Sequence, residues 1–137
     1  MTPAQMAALH AASFSRGWHE DEITDLLAKP TTRLVTTQYG FSLLQVIAPE
    51  AELLTIVVDP AHRGRGHGNA LLSQTLGTAA KSDVTTVFLE VDATNTAALA
   101  LYEKAGFTQT GRRRAYYAHA DGTRSDAITM ARSNVEK

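Results

Sequence analysis

Ile56-Val57-Val58-Asp59-Pro60-Ala61-His62-Arg63-Gly64-Arg65-Gly66-His67-Gly68-Asn69-Ala70 reads as a strand that runs through a glycine-rich turn into a helix. The β-branched triplet suits an extended chain, and beyond the turn Leu71, Leu72, Thr75, Leu76, Ala79 and Ala80 recur at helical spacing. Gly64, Gly66 and Gly68 permit close backbone approach and unusual dihedrals. Successive N–H groups can therefore converge on an anion at the helix N-terminus, where the macrodipole also favours negative charge. Arg63 and Arg65 could add charge-assisted bonds. Two nucleotide motifs fail here: no Gly-Lys-Ser/Thr ends the turn, and a dinucleotide fingerprint begun at Gly64 would need glycine or alanine where Asn69 stands. Taken alone, the turn also fits a tight connection that holds no ligand.

Working outward, two helices are predicted at Pro3–Ser13 and Glu20–Ala28, separated by Gly17, with acids opening the second where the helix dipole is positive. Stretches 33–38, 41–48 and 52–58 form an antiparallel meander through turns at Tyr39-Gly40 and Pro49-Glu50. The run 84–91 is a buried strand, and with the helix before it implies a parallel crossover from 52–58. Asn95 caps a helix to residue 105, where Gly106 can take the left-handed conformation and Phe107 can pack back. Strands 108–118 and 125–131 flank Asp121-Gly122 as a hairpin. The expected class is α+β, a mixed, mostly antiparallel sheet flanked by about four helices in one domain, 1–137.

Composition narrows the function. A net charge of -1 gives no electrostatic footprint for direct nucleic-acid binding, although Arg112-Arg113-Arg114-Ala115-Tyr116-Tyr117 is locally basic and aromatic. Without cysteine there is no disulfide, thiolate metal site or acyl-cysteine intermediate, which fits a reducing, cytoplasmic location. No membrane segment is expected at the N-terminus. The histidines at 10, 19, 62, 67 and 119 are scattered, so no metal site is expected and solvated histidine is the default. Ser73 lacks the Gly-x-Ser-x-Gly elbow of a serine hydrolase.

The decisive second stretch is Leu89-Glu90-Val91-Asp92-Ala93-Thr94-Asn95, followed by Leu101-Tyr102-Glu103-Lys104-Ala105-Gly106-Phe107. An Arg-x-x-Gly-x-Gly turn after a strand, then a second strand, then Asn95, Ala98, Leu101, Tyr102, Gly106 and Phe107 in order, resembles the acyl-CoA core of the GNAT acetyltransferases. Arg113, Arg114, Tyr116, Tyr117, Asp121, Gly122, Asp126, Ala127 and Met130 extend the likeness to the RimI-type branch, which acetylates protein N-termini.

That resemblance implies a set of roles. The backbone of Ile56, Val57 and Val58 pairs with the pantetheine arm of acetyl-CoA, N–H groups from Gly64 to Asn69, His67 among them, hold the pyrophosphate, and Asn95 binds the arm. Glu90 is the general base and Tyr102 the general acid. A peptide α-amine with a pKa near about 8 needs a base at neutral pH, and tyrosine, at about 10, stays protonated to donate. Glu90 interrupts Val87, Phe88, Leu89 and Val91, a strand read as apolar on both faces. A carboxylate ion-paired to an arginine of the final hairpin is the alternative for Glu90, and a core aromatic the alternative for Tyr102. Trp18, Tyr116 and Tyr117 are candidate acceptor contacts.

Two departures stand out. The chain opens at what would be the family's first helix, so a sheet short of its leading strand is expected. Gly17-Trp18-His19 replaces the RimI-type Pro-Trp-Ser entry to the second helix, which bears on the acceptor rather than the cosubstrate. The implied acceptor is a protein N-terminus, alanine of a small-subunit ribosomal protein, acetylated directly in a ternary complex by a monomer or homodimer. Acetylation of a small amine or a lysine side chain is the rival in kind, and a non-catalytic acyl-CoA-binding module the rival in class.

Overall fold

A computed structural model describes residues 1–14 and 17–134. Helix α1, Pro3–Ser13, starts on a reciprocal cap: the Gln5 N–H donates to Thr2 Oγ1 at 3.1 Å, and the Thr2 N–H to Gln5 Oε1 at 2.8 Å. Helix α2, Glu20–Ala28, places Glu20, Asp21 and Glu22 in its first turn. Strands β1 (Thr32–Thr36), β2 (Gly40–Ile47) and β3 (Glu50–Val58) form the meander. A short 3-10 turn at Pro60–His62 leads to α3 (His67–Lys81), β4 (Thr86–Asp92), α4 (Thr96–Lys104), β5 (Thr108–Ala118) and β6 (Arg124–Ser133).

The six strands lie in the order β1-β2-β3-β4-β6-β5, and the β3–β4 pair is parallel, as the crossover through α3 requires. Among the described residues no strand precedes α1 and no helix is long and apolar enough to cross a membrane.

Each sheet face has its own core. Leu44, Val46, Leu53, Val87, Leu89, Val91, Ile128 and Met130 pack under α3 and α4, with Leu72, Leu76, Ala79 and Tyr102 from those helices. Phe41, Leu43 and Val57 point the other way, towards Met6 of α1 and Ile23 of α2. Ser42 and Thr75 join β2 to α3 by a buried 2.6 Å hydroxyl pair. Gly40 is required where β2 begins, because a Cβ there would stand 2.2 Å from the Val57 carbonyl oxygen.

Two details differ from the sequence reading. β3 starts at Glu50, opposite Ile47, so the β2–β3 turn is tighter than expected. β4 is not apolar on both faces. Val87, Leu89 and Val91 are buried, whereas Phe88, Glu90 and Asp92 share a more open face, because α3 and α4 cover only one side of this strand.

Candidate active site

The site begins with an irregularity. Leu44 pairs with Leu53 and Leu43 with Thr55, so Leu54 is an extra residue in β3, a β-bulge. The parallel pairing of β3 with β4 stops at the same level, at Leu53↔Leu89, although β3 runs on to Val58 and β4 to Asp92. The two strands therefore part over Thr55–Val58 and Glu90–Asp92. Along this stretch β2 still pairs with one edge of β3, through Ser42↔Ile56, Phe41↔Val57 and Gly40↔Val58. The other edge of Ile56, Val57 and Val58 has left β4, which suits it to an extended ligand.

The glycine turn stands clear at the end of this opening. Gly64 and Gly66 have φ of 77° and 80°, and a Cβ on either would meet nothing within 4 Å. Gly66 is the N-cap of α3, and the Ala70 N–H is the first to reach back to its carbonyl, at 3.1 Å. The N–H groups of His67, Gly68 and Asn69 precede any intrahelical acceptor and are oriented for an anion. Gly68 is an ordinary helical residue near Leu101. Arg63 turns away from the expected role. Its Nη2 donates to Ser13 Oγ at 2.7 Å and its Nε to the Val58 carbonyl at 3.3 Å, tying the turn to α1, while Arg65 is exposed. His67 lies edge-on to Tyr39, against which His62 stacks at 3.7 Å.

Asn95 caps α4 through Oδ1, which accepts the Ala98 N–H at 3.1 Å, and the exposed residue keeps its amide NH2 for other partners. About two turns on, Tyr102 is 7% exposed in the α3–α4 core and meets Phe107 edge to face at 5.8 Å. Burial pushes its phenol above the usual range, so it holds its proton throughout the physiological interval.

Glu90 is on the opposite face. Its carboxylate accepts the Tyr117 hydroxyl at 3.4 Å and lies 3.7 Å from Arg113 Nε, with a quarter of the side chain exposed. The arginine pair read as an alternative is thus present, but long, and Arg113 itself is 60% exposed, so the carboxylate stays reachable. Burial and the Glu90 charge push the Tyr117 phenol up to about 12. Tyr116 sits edge-on to Tyr117 at 5.2 Å with the Arg113 guanidinium over its ring at 5.3 Å. Trp18 belongs elsewhere, stacked on His10 at 4.6 Å and packed against the α1–α2 core that includes Val57.

A further cluster adjoins Glu90. Ser125 Oγ donates to Asp92 Oδ1 at 2.7 Å and lies 2.7 Å from His119 Nε2, which is 3.5 Å from Asp92 Oδ2. Burial works against the Asp92 carboxylate, yet the Thr94 N–H and the Ser125 and Thr94 hydroxyls outweigh it and hold the group below its usual range. This is not a serine triad, because the same imidazole nitrogen faces both partners. The histidines are also less solvated than the sequence suggested: His10 is 4% exposed between Phe14 and Trp18. Among the described residues no group of three His, Cys, Asp or Glu is placed to hold a metal ion.

Residues 6–107, the stretch that carries the parted strand pair, the glycine turn and the buried tyrosine, match the family model described as the Acetyltransferase (GNAT) family. The chain belongs to the GNAT acetyltransferases. Like other members it is an acyltransferase that draws on acetyl-CoA. It is 47% identical over 118 residues to the ribosomal protein bS18-alanine N-acetyltransferase of Escherichia coli (strain K12), covering 83% of this chain and 79% of that protein. It is 46% identical over 96 residues to the N-alpha-acetyltransferase RimI of Mycobacterium tuberculosis, 69% of this chain and 57% of that one. The crystal structure of the Escherichia coli ribosomal-protein-S18-alanine N-acetyltransferase superposes with a TM-score of 0.88 at 32% identity, over 98% of this chain and 89% of that one. Ard1 from Thermoplasma volcanium follows at 0.84 and 26%, over 99% and 95%. The RimI-type likeness read from the C-terminal motif is therefore upheld.

Ile56, Val57 and Val58 lie on one strand of the opening and lead into the glycine turn, while Glu90 lies on the other, and Asn95 stands beyond the end of that second strand as the cap of α4. Glu90 and Tyr102 stand on opposite faces of the sheet. Sequence reasoning offered an arginine of the final hairpin for Glu90 without saying which, and it is Arg113; the Asp92–Ser125–His119 cluster was overlooked. Strand alternation from Glu90 to Asp92 was the available signal for the latter, but only the β6 register shows that Ser125 faces it.

Proposed function

We propose that the protein transfers an acetyl group from acetyl-CoA to the α-amine of a protein N-terminus, with Glu90 as base and Tyr102 as acid. The observation that carries this is the opening between β3 and β4, with Glu90 on one face and Tyr102 behind the other. Two substrates can enter such a gap from opposite sides and meet in it. The residues fit acetyl-CoA: the free edge of Ile56 to Val58 suits its amide-bearing arm, the N–H groups from Gly64 to Asn69 its pyrophosphate, and the Asn95 amide the arm beside it. His67 contributes through its backbone in this reading, and Arg65 through its charge.

The acceptor amine arrives on the Glu90 face, bordered by Tyr116, Tyr117 and Arg113. Glu90 takes a proton from the ammonium, directly or through water, and the freed nitrogen attacks the thioester carbonyl. A C–N bond forms, the C–S bond breaks, the nitrogen sheds its second proton to water, and Tyr102 gives its proton to the departing sulfur and regains one from solvent. No acyl-enzyme forms. The identity to bS18-alanine N-acetyltransferases supports an N-terminal alanine of a small-subunit ribosomal protein as the acceptor, in the cytoplasm.

An array of N-terminal peptides, scored by mass increase with acetyl-CoA, tests this. Acetylation of alanine-first peptides above peptides blocked at the N-terminus but carrying lysine is the expected result. Transfer to lysine or to small amines alone overturns the acceptor, and CoA binding with no thiol release from any amine overturns catalysis.

A further inference from the structure

β5 does not run evenly along β6. Arg113 pairs with Ala127 and Tyr117 with Ser125, so four steps on β5 match two on β6. The surplus is a bulge at Arg114, Ala115 and Tyr116, all opposite Asp126. Ala115 has φ of 52°, a left-handed conformation unfavourable for a residue with a Cβ. Three bonds hold it there. Asp126 Oδ1 accepts the Ala115 N–H at 2.8 Å, Asp126 Oδ2 accepts Arg112 Nε at 2.5 Å, and Arg124 Nε donates to the Ala115 carbonyl at 2.8 Å.

The bulge decides which residue of β5 reaches Glu90. In an even ladder Ala115 would stand opposite Ser125, and Tyr117 would lie two positions further out, about 7 Å along the strand. Its hydroxyl would then lose Glu90. The two extra residues preserve the alternation of faces, so Arg113 and Tyr117 both remain on the Glu90 face. We propose that Asp126 is a positioning residue, whose carboxylate clamps the β5 bulge and thereby sets Tyr117 against Glu90 on the acceptor side. This deepens the reading of the acceptor site and rests on it for its kinetic consequences.

The test combines a double-mutant cycle with a rescue. With an alanine-first acceptor peptide, Asp126→Ala lowers kcat/KM about tenfold, mainly through acceptor KM, while the KM for acetyl-CoA stays within about twofold, since contact-coupled residues interact at that scale. Adding Asp126→Ala to Tyr117→Phe costs little beyond Tyr117→Phe alone, because both act through one phenol. Ala115→Gly in the Asp126→Ala background restores most of the loss, since glycine takes the left-handed conformation unaided. Asp126→Asn, which keeps an oxygen for the Ala115 N–H, gives a smaller loss and serves if the alanine variant folds poorly. A readout independent of transfer is titration of the Tyr117 phenol by NMR of ring-labelled tyrosine. Asp126→Ala brings it down towards the ordinary tyrosine value. Multiplicative losses in the cycle, no glycine rescue or an unmoved phenol titration overturns the clamp. Failure of the wild-type protein to acetylate any N-terminal peptide overturns the functional reading instead, and the phenol titration still decides the clamp.

Discussion

Glu90→Gln separates a base from a structural carboxylate. The substitution keeps the shape of the side chain and an oxygen to accept the Tyr117 hydroxyl, now 3.4 Å away. It removes the charge facing Arg113 Nε at 3.7 Å, but Arg113 is 60% exposed and water replaces the pairing, so stability should change by no more than about 0.5 kcal/mol. The acetyl-CoA side is untouched, because the free edge of β3 and the glycine turn do not involve this carboxylate. What is lost is the proton acceptor, which predicts a fall in turnover of about 10²- to 10⁴-fold at neutral pH.

The pH dependence sharpens the prediction. An α-amine with a pKa of about 8 is roughly one-tenth neutral at pH 7 and roughly nine-tenths neutral at pH 9. A variant without a base can use only the neutral fraction, so its turnover should climb about tenfold over that interval, more steeply than the wild type, and the deficit should narrow. Thiol release measured with an N-terminal peptide from pH 6 to about 9, beside thermal melts and acetyl-CoA titrations, is the assay. Wild-type turnover at every pH, or a deficit accompanied by weakened acetyl-CoA binding or a lowered Tm, would refute the assignment.

Tyr102→Phe should cut turnover while acetyl-CoA still binds, and a leaving group of lower pKa than a thiol should recover much of the rate; an unchanged kcat with the natural thioester removes Tyr102 from the chemistry. Gly66→Ala should lower stability by about 1–2 kcal/mol, because its φ of 80° is costly for an L-residue, whereas Gly68→Ala in the helix should not; equal Tm shifts would contradict this. Tyr117 titrates at about 12 in the folded chain against about 10 when unfolded, so the stability it contributes is intact below pH 10 and lost as pH rises through 12; Tyr117→Phe should flatten that alkaline decline in melting experiments. Asp92 is depressed, so its contribution is present above about pH 4 and lost as pH falls through its lower folded value; acid melts of Asp92→Asn should be correspondingly shallower.

Most of the fold was legible because local signals agreed with it. Asn95, Gly106 and the acids of Glu20–Glu22 punctuate helices that form where expected. Asp121-Gly122 closes the hairpin, with Gly122 at φ of 87°. Glu90, Tyr102 and the glycine turn were legible as types of residue in a spacing. Their three-dimensional relation was not. Period-two alternation told only that Glu90 and Val91 point oppositely, and it took the register against β6, Glu90↔Thr129 beside Leu89↔Met130, to put Glu90 on the open face.

The remainder was hidden because the site is made by faults in regular pairing, which carry weak sequence signals. Leu54 looks like one more apolar residue in a strand, yet as the surplus residue of a bulge it coincides with the level at which β3 leaves β4. Ala115 looks like an innocuous spacer between arginines and tyrosines, yet it sits left-handed in the fault that swings Tyr117 to Glu90. One bulge frees backbone where a thioester carrier can lie, and the other turns side chains towards the opposite mouth of the same gap. Regular hydrogen bonding between β3 and β4 would close the sheet and leave Glu90 and Tyr102 on two sides of a continuous wall, and a regular β5–β6 ladder would carry Tyr117 past Glu90. The chemistry follows from where the ladder stops, and only the paired registers on each side reveal that.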